Sequence, residues 1–226
     1  MDFHSRHVVV TGGTGALGRV VVQILLDRGA HVYVPAHGEA GPAGGHERLS
    51  VTPGVDLTDP AAVERYYAGL PALWASLHLA GGFAMAPLAG TTAETLQAQL
   101  SLNFVTCFLC CKAAASRMAN GGRIVNVAAR PALEPRTGAR MVAYTAAKAA
   151  VAAMTVALGE ELAGAGILVN AVAPSIIDTP ANRAAMPKGD PAKWVSPETL
   201  AEAILFLASP ANTATRGAVL TVYGRS

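Results

Sequence analysis

Short apolar runs alternate with longer stretches of helical periodicity along almost the whole chain. The short runs, which are rich in β-branched residues, predict strands at 7–10, 31–34, 51–55, 73–79, 123–127, 167–172 and 218–222. The stretches with apolar residues at helical spacing are 20–28, 59–68, 92–118, 142–162 and 197–208. Apolar strands separated by helices are typical of a parallel sheet covered on both faces. We therefore expect an α/β fold with one doubly wound parallel sheet of about seven strands.

The 226 residues show no linker, repeat or low-complexity segment that would divide them. Because this length suits one domain, we assign residues 1–226 to a single unit. Two segments lack regular periodicity. The Gly- and Pro-rich stretch 38–50 predicts a loop, and 180–196 predicts an excursion above the sheet, where substrate loops lie.

The first predicted strand runs into a glycine-rich turn, Gly12-Gly13-Thr14-Gly15-Ala16-Leu17-Gly18. The spacing Gly13-x-Gly15-x-x-Gly18 between a strand and a helix matches the dinucleotide-binding fingerprint of Rossmann-type folds. Glycines permit a tight turn, and the helix N-terminus offers free N–H groups to a pyrophosphate. We expect cofactor contacts here, a plain glycine-rich turn being the alternative, from Gly12, Thr14, Gly15, Ala16, Leu17 and Gly18.

The end of the second predicted strand reads Val34-Pro35-Ala36-His37, with no carboxylate before Glu39. An acid at this place would bond the adenine ribose and would repel a 2′-phosphate. Its absence, followed by a histidine, predicts that NADP(H) is preferred and that NAD(H) is possible. His37 is then a cofactor contact; alternatively it is a solvated loop residue.

Tyr144 and Lys148 stand four residues apart in a predicted helix, so their side chains share one face. An ammonium close to a phenol favours the phenolate and lowers the phenol pKa. Such a tyrosine can exchange a proton with a substrate near neutral pH. An exposed Tyr–Lys pair on a surface helix is the alternative.

Taken together, these motifs make the chain resemble the short-chain dehydrogenase/reductase family from end to end. Further matching stretches are Asp56-Leu57-Thr58, Ala80-Gly81-Gly82, Asn103, Asn170-Ala171-Val172-Ala173-Pro174 and Ile177-Asp178-Thr179-Pro180. The resemblance implies an oxidoreductase that moves hydride between a nicotinamide cofactor and a small carbonyl or imine. Tyr144 is then the general acid/base, Lys148 lowers its pKa and holds the nicotinamide ribose, and Asn103 supports a proton relay. Further implied cofactor contacts are Asp56, Leu57, Ala80, Gly81, Gly82, Pro174, Ile177 and Thr179.

One departure from the family concerns the segment Asn126-Val127-Ala128-Ala129-Arg130. The family usually carries a serine at or near the position of Ala129, and its hydroxyl donates to the substrate oxygen. Losing one such donor can slow a reaction by about 10²-fold. Thr137 or an ordered water is the candidate substitute.

This departure keeps two alternatives open. The chain also resembles the quinonoid dihydropteridine reductases, a branch with alanine at the serine position, in Gly12–Gly18 and in Ala80-Gly81-Gly82-Phe83, with further likeness at 178–183, Met186 and Trp194. That branch is typical of NADH use and carries an acid after the second strand. This chain lacks that acid and has Ala36-His37 there. The other alternative, also motivated by Ala129, is a dinucleotide-binding redox sensor with little catalysis.

A substrate pocket is expected above the nicotinamide, with mostly apolar walls. Arg130 would suit a polar or anionic group of the substrate, although a solvated arginine is the alternative. The candidate wall residues are Phe83, Met85, Ala129, Arg130, Leu133, Ile176, Met186 and Trp194.

Charge and hydropathy exclude other classes of partner. The net charge is +2 and no lysine or arginine run is present, so we expect no nucleic-acid partner. Residues 66–93 are uncharged, but Gly and Pro interrupt them and no continuous apolar span of about 20 residues is present, so we expect no membrane partner. The helices 92–118 and 142–162 have outer faces that are too apolar for water, and relatives in the family use these helices to form a homodimer or homotetramer.

The cysteines Cys107, Cys110 and Cys111 lie in an apolar helical stretch, and we expect them to be core-filling thiols. The Cys107-x-x-Cys110 spacing leaves redox chemistry as the alternative. No second cysteine pair or nearby histidine completes a metal site, so we assign no metal ligand. The odd number of cysteines favours a reducing compartment, and we expect the protein to be cytoplasmic.

Overall fold

The computed structural model describes residues 1–38 and 45–226. Its centre is a seven-stranded sheet in the order β3-β2-β1-β4-β5-β6-β7, and every neighbouring pair of strands is parallel. The strands are β1 His7–Thr11, β2 His31–Pro35, β3 Leu49–Thr52, β4 Ala75–His78, β5 Gly122–Val127, β6 Ile167–Pro174 and β7 Val219–Val222. The strand order reverses between β1 and β4, where ligands of such sheets bind.

Helices cover both faces of this sheet, so the predicted doubly wound α/β fold is confirmed. They are α1 Ala16–Asp27, α2 Pro60–Ala68, α3 Ala93–Leu100, α4 Thr106–Ala115, α5 Arg130–Leu133, α6 Val142–Glu161, α7 Pro180–Ala185 and α8 Pro197–Ala208. A π-helical segment, Ser101–Val105, joins α3 to α4.

Successive residues of a strand point to opposite faces, and the two halves of the core follow this alternation. Val8 and Val10 of β1 pack with α1 and α8, whereas Val9 packs with α2, α4 and α6. All three valines are fully buried, so β1 contributes to the core on both faces of the sheet. This packing fixes the positions of all the strand ends that carry the site.

Several boundaries differ from the sequence prediction. Helix α1 begins at Ala16 rather than at residue 20, because the glycine turn leads directly into it. The predicted helix 92–118 contains the π-helical segment, and the predicted excursion 180–196 contains the short helix α7 and a 3₁₀ turn, Pro191–Lys193. Of the predicted loop 38–50, residues 39–44, including Glu39, lie outside the described residues, and β3 begins at Leu49.

Two helical stretches, Ala93–Ala115 and Val142–Glu161, are long and apolar enough by composition to cross a membrane. Both fall within the predicted helices 92–118 and 142–162, whose apolar residues are not continuous in sequence. Both pack against the sheet and contribute buried side chains to its core. Core helices of this kind pass the same test of length and composition.

Candidate active site

The predicted site residues gather along the carboxyl edge of the sheet. The glycine turn follows β1, the segment Ala80-Gly81-Gly82 follows β4, and Val127 ends β5. Helix α6 carries Lys148 to this edge, where its Nζ donates a 2.8 Å hydrogen bond to the Val127 carbonyl oxygen. Motifs that are far apart in the sequence therefore lie in one region of the molecule.

The glycine turn is packed so tightly that side chains are excluded at three of its positions. A Cβ on Gly12, whose φ is +68°, would lie 2.8 Å from the Ala80 backbone nitrogen, and a Cβ on Gly13 would lie 2.8 Å from the Val34 side chain. A Cβ on Gly18 would overlap the Gly12 carbonyl oxygen. By contrast, Thr14, Gly15 and Ala16 are exposed.

The N-terminus of α1 has the properties that a pyrophosphate requires. Its N-cap is Gly15, which has no side chain that could cap the helix. By contrast, the side chains of Asp59, Thr92 and Ser196 cap α2, α3 and α8. The first N–H groups of α1 are thus free of a side-chain acceptor and lie at an exposed helix end with a positive dipole. This cradle fits a dinucleotide pyrophosphate.

Lys148 is a buried cation, only 6 % exposed. Burial lowers its pKa to about 8, and the nearby Cys107 opposes that shift. Its Nζ lies 5.9 Å from the centre of the Tyr144 ring. The ammonium is therefore bonded to the β5 carbonyl and lies farther from the phenol ring.

Tyr144 packs its ring edge-on against Phe83, with the ring centres 5.0 Å apart. Burial raises the pKa of Tyr144 to about 12. This shift runs opposite to the one expected from Lys148, and its cause is desolvation of the phenol.

Asn103 lies in the π-helical segment and is 1 % exposed. Its Nδ2 donates to the Gly82 carbonyl oxygen at 2.9 Å, and its Oδ1 accepts from the Gly82 nitrogen at 3.2 Å. A Cβ on Gly81 would lie 2.7 Å from Asn103 Oδ1 and 3.5 Å from Lys148 Nζ. Glycine at this position therefore lets the amide and the ammonium approach the same stretch of backbone.

The adenosine end of the predicted site is less enclosed. His37 is exposed, and its proximity contributes to lowering the pKa of Asp56, although hydrogen bonds from Thr58 lower it most. The Thr58 nitrogen and hydroxyl donate to Asp56 Oδ1 at 2.8 and 2.7 Å. The structure thus brings His37 and Asp56 together at one corner, with Leu57 between Asp56 and Thr58 in the chain.

The segment after β6 is held by its own hydrogen bonds. Thr179 caps α7, and Asn182 Nδ2 donates to the Ile177 carbonyl oxygen at 2.8 Å. Arg183 makes a double hydrogen bond to the Asp178 carboxylate, at 2.6 and 2.7 Å. Pro174, the last residue of β6, leads into this segment, which leaves the sheet at the same edge as the glycine turn.

The predicted substrate residues divide into two groups. Phe83 and Met85 are 62 % and 55 % exposed, and Ile176, Leu133 and Met186 are also accessible. Ala129 and Trp194 are buried. Of these residues, Phe83 is the one that the structure places against Tyr144.

Two predicted polar groups on the substrate side are already engaged. Arg130 Nε donates to Glu134 Oε2 at 2.8 Å, and its guanidinium lies over the Tyr223 ring. The Thr137 hydroxyl donates to the Glu134 carbonyl oxygen at 2.8 Å. Arg130 is therefore not simply solvated. The Thr137 hydroxyl would have to give up its hydrogen bond to the Glu134 carbonyl oxygen before it could replace the missing serine hydroxyl.

Two surface cavities lie at the opposite edge of the sheet, near the amino ends of the strands. Since ligands of open parallel sheets bind at the carboxyl ends, neither cavity coincides with the expected cofactor site. One is lined by His4, Ser5, Gly29, His31, Glu47 and Arg48, and the other by residues that include Arg6, His7, Trp74 and Arg117.

Sequence reasoning missed several residues around the site. The Val127 carbonyl, which holds Lys148, belongs to an ordinary strand residue and carries no signal in the sequence. Gln99, which is 4 % exposed, accepts from Asn103 Nδ2 through its backbone oxygen at 3.1 Å. A polar residue one helical turn before Asn103 was the available signal for this contact.

The fold and this edge of the sheet define a Rossmann-type dinucleotide-binding protein. The family model described as short chain dehydrogenase matches residues 6–189. The cis-4-hydroxycyclohexanecarboxylate dehydrogenase of Sinomonas cyclohexanicum is 34 % identical, over 98 % of this chain and 96 % of that protein. The D-threitol dehydrogenase of Mycolicibacterium smegmatis is 28 % identical, over 96 % and 90 %.

A solved structure of ElxO with NADP bound has a TM-score of 0.88, 24 % identity and coverage of 97 % of this chain and 98 % of that one, and so shares the fold. The chain belongs to the short-chain dehydrogenase/reductase family. It is an NAD(P)-dependent oxidoreductase.

Proposed function

We propose that this protein interconverts a small hydroxylated compound and the corresponding carbonyl compound, with Tyr144 as the general acid/base. The observation that carries the proposal is the meeting of Tyr144, Lys148 and Gly81 at the carboxyl edge of the sheet, beside the glycine turn. The names of both curated relatives above denote dehydrogenases, which favours this reaction over a pterin reductase or a sensor.

The residues of the chain suggest how a cofactor is held. The free N-terminus of α1 would bind the pyrophosphate, and Gly12, Gly13 and Gly18 keep side chains out of the turn. Lys148 would hold the nicotinamide ribose with the N–H groups that do not bond Val127. When bound, the cofactor supplies or accepts the hydride, since no side chain can do so.

The two titrating groups have complementary states at neutral pH. With a pKa of about 12, Tyr144 is protonated and can donate to a developing alkoxide. With a pKa of about 8, Lys148 is mostly cationic and can stabilise negative charge near the phenol. Asn103 holds the backbone of Gly82 and thereby the wall beside both groups.

We also propose that NADP(H) is preferred, with NAD(H) accepted. An exposed His37 stands where an acid would otherwise repel a 2′-phosphate. The neighbouring Asp56 carboxylate accepts both hydrogen bonds from Thr58 through Oδ1, and His37 beside it is exposed.

The test is an assay of Tyr144→Phe against the wild-type protein. Secondary alcohols and polyols, including cis-4-hydroxycyclohexanecarboxylate and D-threitol, and the matching ketones are supplied with NADP(H) or NAD(H). Loss of the phenol should lower kcat by about 10²- to 10⁴-fold and leave the cofactor Kd unchanged. Tight cofactor binding without turnover of any of these compounds by the wild type would instead support the redox sensor.

A further inference from the structure

A second group of reactive side chains lies beneath the candidate active site. His78 at the end of β4 meets Cys107 and Cys111, which are one turn apart on α4. The imidazole and thiol ligand atoms all lie within 4.8 Å of one another, and all three side chains are buried. The expectation that no histidine lies near these cysteines was wrong. The packing of α4 on β4 brings His78, which is distant in sequence, against them.

A fourth ligand atom faces the same point. Asn126 Oδ1 lies 2.8 Å from His78 Nδ1, 3.2 Å from Cys107 Sγ and 3.4 Å from Cys111 Sγ. His78 Nδ1 and Cys111 Sγ are 3.4 Å apart. Around a tetrahedral zinc ion with Zn–S near 2.3 Å and Zn–N near 2.0 Å, neighbouring ligand atoms are about 3.3–3.8 Å apart. Three of the thiol contacts, from Asn126 Oδ1 to each sulfur and from His78 Nδ1 to Cys111 Sγ, match this spacing to within a few tenths of an ångström. The His78–Asn126 contact would lengthen by about 0.5 Å, and the two remaining thiol contacts lie within 4.8 Å.

The orientation of the Asn126 amide is fixed by its other end. Its Nδ2 donates to Thr155 Oγ1 at 2.9 Å, and the Thr155 hydroxyl donates in turn to the Val151 carbonyl oxygen. Asn126 Oδ1 therefore faces the cluster, where His78 N–H and two S–H groups converge on one oxygen. A carbonyl oxygen has two lone pairs, so three donors exceed its capacity.

The outer nitrogen of His78 is also supported. His78 Nε2 lies 2.9 Å from Ser76 Oγ, which lies 2.9 Å from the Tyr67 hydroxyl. Either hydroxyl of this pair can be the donor, so Ser76 Oγ can accept a hydrogen bond from Nε2–H when Nδ1 binds a metal. Partners of this kind orient a metal-bound imidazole and fix its tautomer.

Charge decides which kind of cation suits the site. Two thiolates neutralise a divalent cation, and a neutral complex avoids the large cost of burying net charge. Thiolate and imidazole ligands in tetrahedral array select zinc among the common divalent ions.

We propose that His78 Nδ1, Cys107 Sγ and Cys111 Sγ bind one Zn²⁺, with Asn126 Oδ1 as the fourth ligand. Two S–H bonds break when the metal binds, and both protons leave to solvent. The His78 Nδ1–H bond also breaks while Nε2 gains a proton, so the imidazole stays neutral, and no group is oxidised or reduced. Cys110, the third cysteine of α4, is outside the site.

The position of this site couples it to the candidate active site. Asn126 precedes Val127, whose carbonyl oxygen holds Lys148, and Cys107 lies one helical turn after Asn103. A metal that draws Asn126 and α4 together would shift both supports. This consequence depends on the proposed function, whereas metal binding itself does not.

The experiment uses the full chain, reduced with a phosphine and freed of metal, and titrates it with Co²⁺ as a spectroscopic substitute for Zn²⁺. We expect one equivalent to bind with a thiolate-to-cobalt charge-transfer band and the strong visible absorption of a tetrahedral ion, and Zn²⁺ to displace it. Protein produced in zinc-supplemented medium should contain one zinc per chain by elemental analysis. Folded wild-type protein without the thiolate band and without zinc would overturn the proposal.

Variants assign the ligands. Cys107→Ala and Cys111→Ala should abolish the thiolate band or halve its intensity, whereas Cys110→Ala, an equally buried cysteine on the same helix, should leave it unchanged. Ser76→Ala keeps all four ligands and should weaken the metal Kd by about 10- to 100-fold. Circular dichroism confirms folding of each variant. If Cys110→Ala weakened binding as much as Cys107→Ala, the assignment would be wrong.

Discussion

Lys148 combines two demands that conflict within one residue. In the proposed function its ammonium lies inside the protein to reach a cofactor and Tyr144, but burial penalises the charge and lowers its pKa to about 8. Its one hydrogen bond within the described residues, to Val127, offsets part of this cost. The buried ammonium therefore lowers the free energy of unfolding, and this cost can be measured through its pH dependence.

The first prediction is that Lys148→Met changes the pH dependence of stability. Between pH 8 and 10.5 the unfolded chain binds a proton that the folded protein has released, so the free energy of unfolding of the wild type should rise with pH over this window. The methionine variant lacks this rise and should be at least as stable as the wild type at neutral pH. Urea unfolding across the window provides the measurement. Lys112→Met, which removes an exposed lysine, should follow the wild type, and parallel curves for all three proteins would refute the buried charge.

A second prediction at the residue scale concerns His37. In His37→Asp, a carboxylate replaces an exposed imidazole at the expected position of the 2′-phosphate, so NADPH binding should weaken by about 10-fold or more through charge repulsion, which is about 1.4 kcal/mol. NADH lacks that phosphate, and its Kd should change little. Fluorescence titration with both cofactors measures the ratio. His4→Asp makes the same change at the other edge of the sheet and should affect neither, whereas equal losses for both cofactors in His37→Asp would remove His37 from this role.

At the residue scale, the sequence predicted which side chains lie at the candidate site better than it predicted their pKa values. The spacing of Tyr144 and Lys148 and the match at Asn103 predicted residues that the structure does bring to one edge. The direction of the Tyr144 pKa was wrong, because it depends on how deeply the phenol is buried and where Lys148 points. Those quantities are set by distant elements such as β5 and Phe83, which a local pattern does not contain.

At the scale of elements, the turn between β1 and α1 is tightly constrained. It must reverse direction within a few residues and leave the helix N-terminus open. The neighbours of Gly12, Gly13 and Gly18 are backbone atoms and a packed valine, and none of them can move aside cheaply.

Gly18→Ala should therefore destabilise the protein and abolish cofactor binding together. The added methyl group would overlap the Gly12 carbonyl oxygen, and relief requires a backbone shift that we expect to cost about 1–3 kcal/mol of unfolding free energy. Denaturant unfolding and NADPH titration are the two measurements. Gly164→Ala, where a Cβ meets nothing within 4 Å, serves as the control and should leave both unchanged. A Gly18→Ala protein with normal cofactor affinity would show that the turn does not hold the pyrophosphate.

The elements that the sequence failed to predict have a common physical origin. The π-helical segment at Ser101–Val105 inserts an extra residue into a helix without changing its apolar periodicity enough to be seen. Helices α5 and α7, with four and six residues, are too short to show a period. Such features are decided by packing at the carboxyl edge of the sheet rather than by local preference.

At the scale of the whole molecule, the strand order explains both sites. Parallel strands deliver β1, β4, β5 and β6 to one edge, so motifs spread along the chain converge there. The fold class followed from the alternation of strands and helices. The cluster of His78 with Cys107 and Cys111 did not, because it requires knowing that α4 lies against β4.

The long helices also bear on assembly, and here we retain the prediction of a homodimer or homotetramer. In Ala93–Ala115 and Val142–Glu161, 39 % of the most apolar window is buried within one chain, so apolar side chains such as Phe108 and Val156 face outward. Burying them against a second copy would remove a surface that is costly in water. Light scattering should then give a multiple of the 23.0 kDa chain mass.

Phe108→Glu tests this surface directly, since a carboxylate at a buried contact between copies would be desolvated without a partner. We expect the variant to dissociate to the 23.0 kDa monomer while its far-ultraviolet circular dichroism stays that of the wild type. Leu88→Glu places the same charge on another strongly exposed apolar residue, outside these two helices, and should leave the assembly intact. A wild-type protein that is monomeric at micromolar concentration would contradict the prediction, and a Phe108→Glu protein that remains assembled would move the interface elsewhere.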